Sequence, residues 1–182
     1  TSDCDGPAGV NNFITGTYGT PYPTEVLMAQ TWNTDLLYDL GLAMGQEYAD
    51  VNNYGVYGPA MNTHRSAFAG RNFEYYSEDG VLAGKLAAAQ VNAMATKGTY
   101  NYIKHFALND QETNRCAFLL TYSNEQAIRE IYLKPFELCI KNFDGTQIAV
   151  MSSFNWIGTV PACANEDTLT TILRNEWGFQ GM

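Results

Sequence analysis

Four times along the chain a short apolar run closes on a cluster of polar or charged residues and gives way to a longer stretch with helical spacing. The runs are residues 1–10, which enter a turn, then 54–60, 100–107 and 147–154. Their polar ends are Asp3-Cys4-Asp5, Asn62-Thr63-His64-Arg65, Lys104-His105 and Ser152-Ser153. The helical stretches are 34–51, 78–96, 123–142 and 167–177. In the first of these, Leu36, Leu37, Leu40, Ala43, Met44 and Tyr48 recur at the period that lines one helix face. Ser123 and Gln126 have capping-box spacing at the start of the third, Pro135 should kink it, and Asp144-Gly145 reads as a turn. The run 147–154 reads as a buried strand, and 179–182 as the start of another.

Strands alternating with helices of this length predict parallel strands joined by right-handed crossovers. A doubly wound open sheet and a (β/α)8 barrel both satisfy that pattern. The 182 residues are short for a barrel, which needs about 250, so length alone favours the open sheet. The polar strand ends favour the barrel, because barrel chemistry gathers at the carboxyl ends of several strands. The fold expected is α/β: part of one (β/α)8 barrel spanning 1–182, a piece of a larger multidomain chain.

Composition narrows the function. Apolar residues make up 46% of the chain, enough for a core, and 10 Lys+Arg against 19 Asp+Glu give a net charge of −9. An acidic chain is a poor match for nucleic acid or an anionic membrane surface. No apolar stretch approaches the roughly 20 residues that span a bilayer, and no segment reads as a signal peptide. Together with the lack of an N-x-[ST] sequon, this leans towards the cytoplasm. Cys4, Cys116, Cys139 and Cys163 are too few and too scattered for a disulfide scaffold and are expected to be reduced. With only His64 and His105 present, a three-histidine zinc site is impossible, and no phosphate-binding glycine motif occurs. Neither metal nor cofactor is expected.

Longer motifs carry a resemblance. They include Asp5-Gly6-Pro7, Asn62-Thr63-His64-Arg65-Ser66, Gly70-Arg71-Asn72-Phe73-Glu74-Tyr75-Tyr76-Ser77-Glu78-Asp79 and Ile103-Lys104-His105-Phe106. Further along come Asn109 to Arg115, Arg129 to Phe136, Val150-Met151-Ser152-Ser153 and Asn175 to Gly181. In this order, over almost the whole chain, the sequence resembles glycoside hydrolase family 3, the β-glucosidase family, and in particular part of its barrel domain.

The resemblance implies an exo-acting hydrolase that removes terminal β-D-glucosyl residues with retention, through two carboxylates about 5–5.5 Å apart. It puts neither carboxylate within this chain. The nucleophilic Asp is expected a few residues beyond Met182, and the acid/base in a separate α/β sandwich domain, so 182 residues alone should be inactive. It implies a sugar-binding role for Asp5, Arg71, Lys104 and His105. Arg65, Met151, Phe154 and Trp156 are further candidates, although Arg65, like His64, reads better as a loop brace than as a substrate contact. Asp110, Glu112 and Arg115 read as structural, and Glu74 as an ion-pair partner of Arg71. The expected partner is a small β-glucoside or oligosaccharide, and no oligomeric state follows.

There are three departures from the family pattern, of which the first and third bear on preference among sugars. Val10-Asn11-Asn12 stands where many members have Arg, Ala67 where many have Pro, and Phe154 where many have Tyr. Asp5-Gly6-Pro7 leans towards glucose. A related xylosidase or galactosidase, or a non-catalytic carbohydrate-binding or scaffold derivative, is the alternative.

Overall fold

Side-chain caps open the two long helices. Asn33 Oδ1 accepts from the backbone N–H groups of Asp35 and Leu36 at 3.0 and 3.1 Å, which starts α1, Thr34–Asp50. Asp79 Oδ1 accepts from Val81 and Leu82 at 2.7 and 3.1 Å, which starts α2, Gly80–Ala95. Each cap satisfies amides that have no partner in the first turn. The second helix therefore begins two residues later than its apolar pattern predicts.

The computed structural model describes residues 2–145 and 147–182, with Ser2 described by its backbone alone. Thr1, read from the sequence as the start of the first strand, lies outside the described residues. Four parallel strands form the frame: β1 Ser2–Asp5, β2 Asn53–Tyr57, β3 Tyr100–Phe106 and β4 Ile148–Ser152. They lie side by side in chain order, each pairing with the next. Doubly wound sheets reverse strand order at a switch point, whereas a barrel does not. The unbroken order is that of part of a (β/α)8 barrel. At the free edge of β4, Val150 N donates to the Met182 carbonyl at 2.7 Å, so the returning chain takes the next place in the same order.

Strand parity separates two faces. Cys4 and Val56 point outward, into a cluster with Met44, Tyr48 and Met94. Ile103 points outward into the main core, with Leu37, Leu86, Val91, Phe136 and Cys139. Gly41 lets α1 approach α2, since a Cβ there would lie 2.6 Å from the Gln90 carbonyl oxygen. Asp3, Gly55 and Tyr100 share a row on the opposite, inward face. Because Gly55 has no side chain, the Tyr100 hydroxyl reaches across it to Asp3 Oδ1 at 2.7 Å. Tyr102 donates to Asp3 Oδ2 at 3.1 Å.

Several sequence expectations need correcting. Asn124, not Ser123, caps the third helical region, accepting from Ala127 N at 2.8 Å. Gln126 reaches forward to Glu130 instead of back to a cap. Pro135 does not kink a continuous helix. The chain widens to π-type bonding over Ile128–Tyr132, where Leu133 N meets the Ile128 carbonyl at 2.8 Å, and restarts as α3, Lys134–Lys141. Pro135 thus sits in a first turn, where its missing N–H has no partner to lose. The fourth helix, Asp167–Glu176, is likewise π-type. In β4 only Ala149 is buried; beside its outer edge the described residues place Gly181 and Met182 of the returning chain.

Candidate functional site

The carboxyl ends of β1 and β3 border a cavity of about 510 Å³, with Asp5, Arg71, Glu74 and Lys104 among its lining residues. Asp5 ends β1. Its turn is held by Tyr48, whose hydroxyl lies 3.1, 3.3 and 3.0 Å from the carbonyls of Asp5, Gly6 and Gly9. Lys104 projects from β3 and has a side chain only 4% exposed. Its ammonium lies 3.7 Å from Asp5 Oδ1 and 3.6 Å from Glu74 Oε2. Those separations are ion-pair contacts but longer than N–H···O hydrogen bonds, so the ammonium retains protons to offer a ligand. Arg71 pairs with Glu74 and lies 3.7 Å from Glu112. Two cations facing three carboxylates present both donors and acceptors, the mixture that a ring of hydroxyl groups matches.

A larger cavity, about 650 Å³, opens at the other end of the strands beside Thr99, Asp144 and Gln147. No cationic side chain lines it, and it lies away from the strand ends that carry chemistry in this fold.

His105 follows Lys104 and is 5% exposed. Burial first, then the charges of Arg71, Lys104 and Arg115, push its imidazole down to about 2, so the ring is neutral. Its backbone is held on both sides by Asn62, and its Nδ1 lies 3.2 Å from the Tyr75 hydroxyl. Lys104 is braced by the segment that follows β2: its N donates to the Pro59 carbonyl at 3.1 Å, and its carbonyl accepts from Met61 N at 2.8 Å. Between those two residues, Ala60 N donates to the fully buried carboxylate of Glu25, at 3.0 and 3.1 Å from its two oxygens. Burial raises the Glu25 carboxyl well above the usual range, opposed by that amide.

The structure thus brings Asp5, Arg71 and Lys104 to one cavity and places His105 next to Lys104. Met151 is the register partner of Lys104 on β4 and half-buried. None of the four further candidates is among the residues that line the cavity. Arg65 is exposed, with its guanidinium 5.7 Å from the Tyr132 ring centroid. Phe154 is 62% exposed under the Arg115 guanidinium. Trp156 is drawn into a small sheet by pairing with Leu120 and Pro161, and its ring lies 5.4 Å from Phe118. Backbone pairing, not proximity to β4 in the chain, decides where that indole goes. Sequence reasoning gave no site role to Asn62, Tyr75, Asn109 or Glu25. The first three stand inside quoted motifs, which was the available signal; Glu25 carries none. Among the described residues no group of His, Cys, Asp or Glu is placed to hold a metal ion, and no helix is long and apolar enough to cross a membrane.

Comparison with known proteins bears on this geometry directly. Residues 3–182 match the profile of the glycosyl hydrolase family 3 N-terminal domain. The chain belongs to glycosyl hydrolase family 3. Among curated family 3 relatives it is 44% identical over 180 residues to β-glucosidase A of Butyrivibrio fibrisolvens, covering 98% of this chain and 21% of that protein. A solved structure of β-glucosidase 3B from Thermotoga neapolitana in complex with glucose superposes with a TM-score of 0.89 at 41% identity, over 98% of this chain and 25% of that one. A β-glucosidase from Streptomyces venezuelae in complex with D-glucose gives 0.91 at 34% identity, over 98% and 22%. The chain therefore spans about a fifth of the length of the curated relatives it matches.

Proposed function

We propose that these residues supply the glycone-binding floor of an exo-acting β-glucosidase, which removes terminal non-reducing β-D-glucosyl residues with retention of configuration. The observation that carries this reading is the meeting, around one cavity, of Asp5 at the end of β1, Arg71 from the segment between β2 and α2, and Lys104 near the end of β3. Family membership and relatives named β-glucosidases support it. In this reading Asp5 accepts from two neighbouring ring hydroxyls, because an ionised carboxylate is acceptor-only. Lys104, Arg71 and His105 donate to ring oxygens. The ring is thereby held at the reacting position, and interactions that tighten as the oxocarbenium-like transition state forms lower the barrier.

The nucleophile and the acid/base are assigned to chain outside these 182 residues, the nucleophile to an Asp shortly after Met182. The substrate is a small β-glucoside or an oligosaccharide end.

Replacing Lys104 or Asp5 by Ala in the full-length protein tests the proposal. Each removes a charge-assisted hydrogen bond worth roughly 1.5–3 kcal/mol and should lower kcat/KM for an aryl β-glucoside about 10- to 100-fold. Near-normal kcat/KM in both variants rejects it. A parent protein that binds glucose without turnover points instead to a non-catalytic derivative of the fold.

A further inference from the structure

We infer that Tyr75 is a positioning residue that sets the tautomer of His105, so that the imidazole offers the sugar an N–H donor at Nε2 and never an acceptor. The inference rests on the reading of His105 as a glycone contact but is derived from a separate chain of hydrogen bonds.

That chain begins at Glu112. Its Oε1 lies 2.9 Å from Asn109 Nδ2. An ionised carboxylate accepts only, so the amide group facing it is the NH₂. The same nitrogen lies 3.2 Å from the Tyr75 hydroxyl oxygen, which must therefore accept from it. Tyr75 is 1% exposed, so its own proton needs a partner inside the protein. Among the described residues the one acceptor in reach is His105 Nδ1, at 3.2 Å. If Nδ1 carried the hydrogen instead, the phenol O–H would be buried with nothing to receive it, a loss of roughly 1–3 kcal/mol.

Nδ1 is therefore bare. Buried beside Arg71, Lys104 and Arg115, the ring carries a single proton, and that proton stands on Nε2. Nε2 meets no protein partner among the described residues, which leaves its N–H for a ligand oxygen. Asn62, gripping the His105 backbone at 2.8 and 2.9 Å, and the Tyr75 ring, packed edge-on at 6.0 Å, keep the imidazole from rotating away.

The test uses the full-length protein and its Tyr75→Phe variant with 4-nitrophenyl β-glucoside and the 3-, 4- and 6-deoxy analogues. Phenylalanine keeps the ring and removes the hydroxyl, and with it both the proton that pins Nδ1 and the oxygen that accepts from Asn109; the His105→Ala background separates the two losses. The expected result is a loss in kcat/KM of about 10-fold on the parent glucoside that shrinks below about 2-fold on one deoxy analogue and in a His105→Ala background. A loss equal on every analogue, or one that persists undiminished with His105→Ala, overturns the inference.

A second readout needs no turnover. In protein labelled with ¹⁵N-histidine, the His105 ring should show protonated Nε2 and bare Nδ1, a preference that weakens in Tyr75→Phe. Asn109→Asp, which gives the phenol proton a competing acceptor, should move the ring towards protonated Nδ1. A ring already protonated at Nδ1 in the parent overturns the inference even if glucosides are cleaved. A parent that cleaves none, yet shows bare Nδ1, leaves this assignment standing while the proposed function fails.

Discussion

Asn62 grips the main chain of His105 from both sides: its Nδ2 donates to the His105 carbonyl at 2.9 Å, and its Oδ1 accepts from the His105 N–H at 2.8 Å. One buried side chain thus replaces two ladder bonds where β3 leaves regular pairing. Asn62→Asp keeps the shape but turns the donor into a second acceptor facing the carbonyl. Leaving a buried pair unmatched costs roughly 1–3 kcal/mol, more for a charged group. The full-length variant should unfold at lower denaturant concentration and lose activity together with His105→Ala. An unchanged midpoint contradicts this.

Gly55 lies between Asp3 and Tyr100 on the inward face, and a Cβ there would overlap the Asp3 carboxylate. Gly55→Ala must displace Asp3 or break its bond from Tyr100. Overpacking of this kind costs typically 1–3 kcal/mol. Denaturant titration of the full-length variant should show that loss. Adding Asp3→Ala, which clears the space, should recover part of it, whereas simple additivity of the two changes excludes the proposed overlap.

Burial, opposed in part by the Thr63 N–H and the Arg65 charge, pushes the Asp110 carboxyl up to about 7. A raised folded-state value means that the protonated form favours folding. That contribution is complete below about pH 4, where the unfolded carboxyl titrates, and is lost as pH rises through 7. Asp110→Asn keeps an oxygen to accept from Thr63, 3.0 Å away in the parent, and cannot ionise. The Tm of the full-length variant minus that of the parent should therefore increase between about pH 5 and about pH 8. A flat difference across that range contradicts the assignment.

Local signals in the sequence were dependable where the physics is local. The first long helix was legible from the recurrence of Leu36, Leu40, Met44 and Tyr48, and it runs Thr34–Asp50. Strand ends at Asp5 and Lys104 were legible from polar residues closing apolar runs. The third helix was misread because Ser123 and Gln126 fit a capping box, while the neighbouring Asn124 makes the cap and π-type bonding moves the break ahead of Pro135. Two caps compete within one residue of each other, and spacing does not rank them. Nothing in the local sequence around Trp156 foretells that its backbone pairs with Leu120 and Pro161.

The sequence by itself determined which side chains are apolar at a helical or strand period, and hence the alternation of strand and helix and the chemistry waiting at each strand end. Only the tertiary structure decided that Asp5, Arg71 and Lys104 share a cavity, that Glu112, Asn109 and Tyr75 line up behind His105, and that Trp156 pairs into a second, small sheet. The reason is that a two-residue period assigns a side chain to a face but names no neighbour. Neighbours follow from strand order and register, and these are settled by pairing between segments far apart in the chain.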